Sequence, residues 1–220
     1  MQKTYMLLGA GPGIGLSTAR RFAAEGFRIV LAARNAHALN AMAEDLRSEQ
    51  RAHVEVVSID LTNLHALETL MQRHLGTLEV LHYNAAGLTQ HVFAQQSNES
   101  VAQDVSIGLT AALISMRMAA SEMAKRQQGT ILLTGGGLAL NPTIDYLTLG
   151  ACKAALRNAV RAMAKSPLGK ELNTSILTIN QAIRSGTPDA DNVADAFWRM
   201  YEAPRDQWVW EQTLDLSMAV

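Results

Sequence analysis

Three glycines near the start of the chain have the spacing to bind a phosphate group. Gly9, Gly13 and Gly15 form the pattern G-x-x-x-G-x-G between an apolar run and a segment with apolar residues at helical spacing. Glycine lets the backbone approach a diphosphate closely, because no Cβ stands in the way. The N–H groups at the start of the following helix would point at the phosphate oxygens, whose charge the helix dipole favours. The stretch predicts the strand, turn and helix of a dinucleotide-binding unit, with candidate contacts at Gly9, Gly11, Gly13, Ile14 and Gly15.

The residues after the second apolar run bear on which dinucleotide is bound. In such units an acidic side chain usually follows the second strand and accepts a hydrogen bond from the ribose 2′-hydroxyl of NAD. Here A-A-R-N follows at 32–35, and it contains no acid. Arg34, with Asn35 beside it, offers a cation to a 2′-phosphate instead. We therefore expect NADP(H) to be favoured over NAD(H); the alternative is that Arg34 is a solvated, helix-capping arginine.

Apolar runs and helical periodicities alternate along the whole chain. After the first strand, further runs predict strands at 28–32, 54–59, 78–82, 130–134 and 175–179, and a last strand from residue 208 onward. Continuously apolar runs are typical of parallel strands that are buried on both faces. Helical spacing predicts helices between them, including long ones over 101–123 and 143–165. The pattern predicts a single doubly wound Rossmann-type α/β domain over residues 1–220, with a parallel sheet of about seven strands flanked by helices.

Composition argues against several functional classes. The chain has 220 residues and a formal net charge of −1, so nucleic acid is not an expected partner. No apolar run approaches the roughly 18 residues of a membrane span. The six histidines form no H-x-H or H-E-x-x-H pair, so we expect no metal site and interpret them as surface or capping residues. One cysteine, Cys152, excludes an internal disulfide and, with no signal peptide, indicates a cytoplasmic protein.

These features together resemble the short-chain dehydrogenase/reductase family, whose first turn has the same glycine spacing. The motif Y-N-A-A-G at 83–87 is similar to the family's N-N-A-G, and I-D-L-T at 59–62 places an acid after the third strand. The resemblance implies that Asp60 contacts the adenine amino group and that Leu61 packs beside the ring. It also implies that Asn84 and Ala85 lie beside the cofactor. The alternative for Asp60 is a plain helix N-cap.

The second half resembles the family in layout, with C-K-A-A-L at 152–156 similar to S-K-A-A-L of the active-site helix. Family catalysis uses a Tyr that donates a proton and a Lys that lowers the Tyr pKa and holds the nicotinamide ribose. A Ser orients the substrate, and an Asn lies on the preceding helix. Counting from Lys153 places Leu149 at the Tyr position and Gly136 at the Ser position. The Asn position falls on Gly108, or near Ser106. The resemblance implies that Lys153 keeps its role, and the alternative is a plain surface lysine.

Tyr146 is the candidate replacement for the missing proton donor. It lies seven residues before Lys153, two turns along the same helix face and roughly 10 Å along the axis, so it reaches only if the chain folds back. Thr134, at the end of the fifth strand, offers a hydroxyl near the Ser position. After the sixth strand, N-Q-A-I-R-S at 180–185 stands where the family has P-G-x-I-x-T. The resemblance implies that Ile183 closes over the nicotinamide.

Two functions fit these observations. The first is an NADP(H)-dependent oxidoreductase that acts on an unidentified carbonyl or alcohol with a rebuilt proton donor. The second is a catalytically silent NADP(H)-binding module or sensor that acts through a partner. A non-redox isomerase or lyase has no positive support in the sequence. Because family members usually associate through their two long helices, the resemblance implies a homodimer or homotetramer.

Overall fold

A computed structural model describes residues 2–87 and 93–215. Its strands are β1 (Thr4–Leu8), β2 (Arg28–Ala33), β3 (Val54–Ser58), β4 (Leu78–Tyr83), β5 (Thr130–Thr134), β6 (Asn173–Ile179) and β7 (Glu211–Leu214). Its helices are α1 (Ile14–Ala24), α2 (Ala36–Gln50), α3 (Leu64–His74), α4 (Asn98–Val105), α5 (Ala111–Arg126), α6 (Leu147–Lys165) and α7 (Pro188–Glu202). Strands and helices alternate, as the sequence predicts.

The seven strands form one sheet in the order β3-β2-β1-β4-β5-β6-β7, and every neighbouring pair is parallel. The predicted doubly wound α/β fold is therefore confirmed. The strand order reverses direction between β1 and β4. In open sheets of this kind, ligands bind outside the carboxyl ends of the strands at such a reversal.

The hydrophobic core has two layers, one on each face of the sheet. Successive residues of β1 alternate between them: Met6 and Leu8 pack with α3, α5 and α6, whereas Tyr5 and Leu7 pack with α1, α2 and α7. This alternation follows from the two-residue period of a strand. It explains why β1 is apolar at consecutive positions, since both of its faces are buried.

The long helix predicted over 101–123 is interrupted. A π-helical segment, Ser106–Thr110, joins α4 to α5. Tyr83 donates its hydroxyl hydrogen to the Ile107 carbonyl there. At Gly108 a Cβ would lie 3.0 Å from Cys152 Sγ, so the helix passes close to α6 at this point. A single-turn π segment is a common way to insert a residue into a helix, and the apolar periodicity does not reveal it. The second long helix begins at Leu147, after a 3₁₀ turn over Ile144–Tyr146.

Substituting Gly9 is expected to destabilise the fold, whereas substituting Gly11 is not. Gly9 has a φ of +88°, and a Cβ there would lie 2.4 Å from the backbone nitrogen of Ala85; nothing lies within 4 Å of a Cβ at Gly11. We expect Gly9→Ala to lower the free energy of unfolding by about 2 kcal/mol or more. The matched variant Gly11→Ala should change it by less than about 0.5 kcal/mol. Urea unfolding measures both, and equal effects would contradict this account.

Candidate functional site

A cleft of about 860 Å³ opens where β1, β4, β5 and β6 end. It is lined by the glycine turn, the loop after β4, the G-G-G turn after β5, the start of α6 and the loop after β6. This is the edge of the sheet at which the strand order reverses. The predicted phosphate-binding turn and Lys153 therefore border one continuous space.

The turn before α1 is built to receive an anion. Within the described residues, the N–H groups of Gly13, Ile14 and Gly15 have no hydrogen-bond acceptor. Gly13 precedes the eleven residues of α1 and makes no side-chain cap, and Gly11 leaves open space beside the turn. Unpaired amides at the start of a helix, with no side chain over them, suit the oxygens of a diphosphate. The residues present thus fit the phosphate portion of a dinucleotide.

Asn84 ties this turn to the centre of the sheet. Its Nδ2 donates to the Gly9 carbonyl at 2.8 Å, and its Oδ1 accepts from the Thr134 hydroxyl at 2.8 Å. The backbone N–H groups of Asn84 and Ala85 both donate to the Leu8 carbonyl. Asn84 and Ala85 therefore lie against the glycine turn. Their contact with a cofactor stays a prediction.

Arg34 is exposed at the end of β2. Its guanidinium forms no hydrogen bond or ion pair with any residue that the structure describes. Of the alternative, a solvated, helix-capping arginine, the capping part is wrong, because Asn35 Oδ1 caps α2 by accepting from the Ala38 N–H at 3.0 Å. Asn35, predicted as a cofactor contact, thus has one amide oxygen engaged by the helix, whereas Arg34 keeps its charge available to a ligand.

Asp60 lies exposed at the end of β3, and Leu61 is buried in the core beside it. The Thr62 N–H and hydroxyl both donate to Asp60 Oδ1 at 2.9 Å. The bond from the Thr62 N–H is the main reason that the pKa of Asp60 is lowered, with a smaller contribution from Arg34. Asp60 is not the helix N-cap, because Asn63 caps α3. A charged, exposed carboxylate therefore remains at the predicted adenine position.

Lys153 is not a surface lysine, since only 8% of it is exposed. Its Nζ donates to the Thr134 carbonyl at 2.6 Å. Burial lowers the pKa of Lys153 to about 8, and the nearby Cys152 opposes that shift slightly. An amine with this pKa carries a proton at neutral pH and releases it only a little above neutrality. It can therefore bind hydroxyl oxygens or take part in proton transfer.

Gly136 and Leu149 border the same cleft as Lys153. Gly136 has an extended backbone, with φ −172° and ψ 148°. A Cβ there would lie 3.9 Å from Lys153 Cε, so the position accepts a small side chain next to the lysine. Leu149 is half-buried and has no proton to give. Gly108 does not line the cleft and packs against Cys152 instead.

Tyr146 lines the cleft together with Lys153. It ends the 3₁₀ turn before α6 and is half-buried, and its hydroxyl forms no hydrogen bond with the residues at 2–87 or 93–215. The other hydroxyl candidate, Thr134, already donates its hydrogen to Asn84. The structure therefore brings Tyr146 and Lys153 to one cleft without a bond between them.

Ile183 also lines this cleft and packs on the core. Its carbonyl lies 3.9 Å from the position of a Cβ at Gly13, and the Ser185 hydroxyl donates to the Pro12 carbonyl at 2.7 Å. The loop after β6 therefore crosses the glycine turn. This is the side from which the sequence predicts closure over the nicotinamide.

His82 is a buried residue that was not among the predicted site residues. The prediction that the histidines are surface or capping residues is wrong for His82 and His74, which are 0% and 4% exposed. Burial lowers the pKa of His82 to about 3, so the ring is neutral. The available signal was position: His82 is the last residue but one of the buried strand β4, where a polar side chain needs buried partners. No cluster of potential metal ligands occurs among the described residues.

The buried ammonium of Lys153 has a measurable consequence for stability. Its pKa is about 8 in the folded chain and near the ordinary 10.5 when unfolded. Between these pH values the unfolded chain binds more protons, so the free energy of unfolding gains a contribution that rises with pH. We expect the stability of the wild type relative to Lys153→Met to be constant below about pH 8 and to rise up to about pH 10.5. Urea unfolding over this range tests it, and a flat difference would contradict the burial of the charge.

The fold and the position of the cleft are those of a Rossmann-type α/β domain, and comparison with known proteins gives the family. The model of the short chain dehydrogenase family matches residues 3–183, so the chain belongs to that family. A 3-oxoacyl-[acyl-carrier-protein] reductase of Bos taurus is 26% identical over 181 residues, which cover 80% of this chain and 74% of the relative. None of the helices within the described ranges is long and apolar enough to cross a membrane.

Solved structures agree with the fold along almost the whole chain. A short-chain dehydrogenase from Rhodopseudomonas palustris superposes with a TM-score of 0.87 at 24% identity and covers 97% of this chain and 98% of its own. A short-chain dehydrogenase from Sphingobium yanoikuyae, solved in complex with NADPH, has a TM-score of 0.83 at 25% identity. That match covers 98% of this chain and 89% of the relative.

Proposed function

We propose that this protein binds NADP(H) and acts as an oxidoreductase on a carbonyl or alcohol substrate, with a proton donor other than the tyrosine usual in its family. The observation that carries the proposal is the buried Lys153 amine, which shares one cleft with the unpaired amides of the glycine turn. When bound, the cofactor supplies or accepts the hydride. The protein's own residues have to hold the cofactor, exclude water and transfer the proton to or from the substrate.

Residues at the carboxyl ends of different strands bind different parts of the cofactor. The turn amides hold the diphosphate, Arg34 pairs with the 2′-phosphate, and Asp60 accepts from the adenine amino group beside Leu61. Lys153 would hold the nicotinamide ribose, and Asn84, Ala85 and Ile183 would be further contacts of the nicotinamide half. The preference for NADP(H) is supported by the unpaired Arg34 guanidinium and by the absence of an acid at 32–35. The NADPH complex of the Sphingobium relative also supports it.

Arg34→Ala is expected to weaken the binding of NADPH much more than the binding of NADH. A charge-assisted hydrogen bond contributes about 1.5–3 kcal/mol, so the dissociation constant for NADPH should rise about 10- to 100-fold. That for NADH should change by less than about threefold, because NADH lacks the 2′-phosphate. Calorimetric titration of both nucleotides measures this, with Arg199→Ala on α7 as a control for lost surface charge. Equal weakening of the two nucleotides would remove the assigned role of Arg34.

The altered proton donor is inferred from positions 136 and 149. Both border Lys153 in the cleft, which supports their assignment to the serine and tyrosine positions of the family. Of the protic groups that remain there, the Thr134 hydroxyl is already committed to Asn84. Tyr146 has an uncommitted hydroxyl in the same space, and Lys153 retains a proton at neutral pH. We therefore assign proton transfer to Tyr146 acting with Lys153.

A turnover assay with NADPH and a broad carbonyl panel tests this assignment. We expect measurable activity that falls by about 100-fold or more in Tyr146→Phe and in Lys153→Ala, in line with the usual effect of removing an acid–base group. The double variant Gly136→Ser with Leu149→Tyr is the positive control, because it restores the usual family side chains beside Lys153. Tight NADPH binding with turnover only in the double variant would contradict the assignment and favour a silent NADP(H)-binding module or sensor.

We also propose that the chain forms a homodimer or homotetramer in the cytoplasm. Support for association comes from Val105 on α4 and Leu113 on α5, which are 37% and 40% exposed although both are apolar. Apolar side chains on adjacent helices favour burial against a second copy. The single buried Cys152 thiol suits a reducing compartment, where disulfides are rare.

A further inference from the structure

Three buried polar side chains and the half-buried Asn84 form a continuous hydrogen-bonded chain through the centre of the sheet. The Tyr5 hydroxyl lies 2.6 Å from His82 Nδ1, and His82 Nε2 lies 2.9 Å from the Thr134 hydroxyl. Thr134 Oγ1 lies 2.8 Å from Asn84 Oδ1, and Asn84 Nδ2 lies 2.8 Å from the Gly9 carbonyl. The chain thus runs from the core under β1 to the glycine turn.

The Gly9 carbonyl, the last member of this hydrogen-bonded chain, determines which group donates and which accepts in every bond. The Gly9 carbonyl only accepts, so the Asn84 amide must turn its NH₂ group toward it and its oxygen toward Thr134. The single hydroxyl hydrogen of Thr134 is then used by that oxygen. His82 Nε2 must therefore donate to Thr134, which leaves His82 Nδ1 as the acceptor for the Tyr5 hydroxyl. A carbonyl in the glycine turn thus fixes which ring nitrogen carries the proton in the core.

The surroundings of His82 keep this arrangement from titrating. Its ring packs against Phe197 on α7 at a centroid distance of 4.3 Å. The ionisable groups that face it are Tyr5 on β1 and Lys153 on α6. Burial, with a smaller contribution from Lys153, depresses the pKa of His82, and burial raises the pKa of Tyr5. Both side chains therefore stay neutral at physiological pH, and neither of them adds a charge to the hydrogen-bonded chain.

Thr134 is the branch point of the hydrogen-bonded chain, because both its hydroxyl and its carbonyl are used. Its hydroxyl joins His82 to Asn84, and its carbonyl accepts from Lys153 at 2.6 Å. We infer that His82 is a positioning residue of the cofactor site: its Nε2–H orients Thr134 and Asn84, and through them holds the glycine turn in register with Lys153. The link from the glycine turn to the cofactor rests on the proposed function, whereas the existence of the hydrogen-bonded chain does not.

The protonation state of the ring gives a direct test that needs no cofactor. We expect nitrogen-detected NMR of the free protein to show His82 protonated on Nε2 alone and unchanged from about pH 5 to about pH 9, well above its pKa and across the range in which an ordinary histidine titrates. A proton on Nδ1, or a titration within this range, would overturn the inference.

Variants at His82 and Tyr5 of the hydrogen-bonded chain test the positioning role of His82 through the affinity for NADPH. His82→Leu removes the donor to Thr134, and the dissociation constant should rise about tenfold, the effect of one orphaned polar group. His82→Gln again presents a donor group, its NH₂, and an acceptor, its carbonyl oxygen, so it should restore the affinity for NADPH to within about threefold of the wild type. Tyr5→Phe is the matched control beyond His82: it removes a hydroxyl from the same chain but leaves the bond to Thr134. It should lower the melting temperature while keeping the affinity within about twofold.

The outcomes separate the two proposals. Unchanged affinity in folded His82→Leu, or a Gln variant as weak as the Leu variant, would overturn the positioning role. If His82→Leu does not fold, the other two variants and the NMR measurement decide: a dissociation constant for NADPH that is raised about tenfold or more in His82→Gln or in Tyr5→Phe would overturn it. Failure of the wild type to bind NADPH would overturn the proposed function, and the positioning role with it. The NMR result would still establish or refute the hydrogen-bonded chain.

Discussion

An ammonium group buried inside a protein must find acceptors there, because the water that would solvate it is excluded. Lys153 finds the Thr134 carbonyl at the end of β5, and the same residue holds Asn84 through its hydroxyl. Asn84 in turn holds the Gly9 carbonyl. The position of the lysine, the end of the central strand and the phosphate-binding turn are therefore fixed by one connected set of bonds. The cleft and its proposed chemistry depend on that connection.

The fold and the frame of the site were predictable from local signals. Continuous apolar runs identified parallel strands, since both faces of β1 and its neighbours are buried. The glycine spacing identified the turn because its conformation is specific: Gly9 needs a positive φ, and Gly13 begins a helix with its amides unpaired. Lys153 was located by counting along a familiar motif, and the structure places it in the cleft with Gly136 and Leu149.

Features that depend on contacts between distant segments were not predictable. The π segment arises where Gly108 meets Cys152 on another helix, so the apolar period alone predicts an unbroken helix. The sequence left the helix caps open because neighbouring polar residues compete for that role: Asn35 and Asn63 cap α2 and α3, whereas Arg34 and Asp60 do not. His82 was misjudged because only the three-dimensional arrangement supplies its two partners. Local sequence specifies elements, whereas pairing across elements specifies polar networks.

The proposed function requires that one cleft hold a phosphorylated dinucleotide against the buried lysine. A crystal structure of the protein with NADPH bound tests it most directly. The account predicts the diphosphate on the amides of residues 13–15, the 2′-phosphate beside Arg34 and a ribose hydroxyl within hydrogen-bonding distance of Lys153 Nζ. A nucleotide bound at another surface, or one in this cleft with its 2′-phosphate remote from Arg34 and its ribose remote from Lys153, would contradict it.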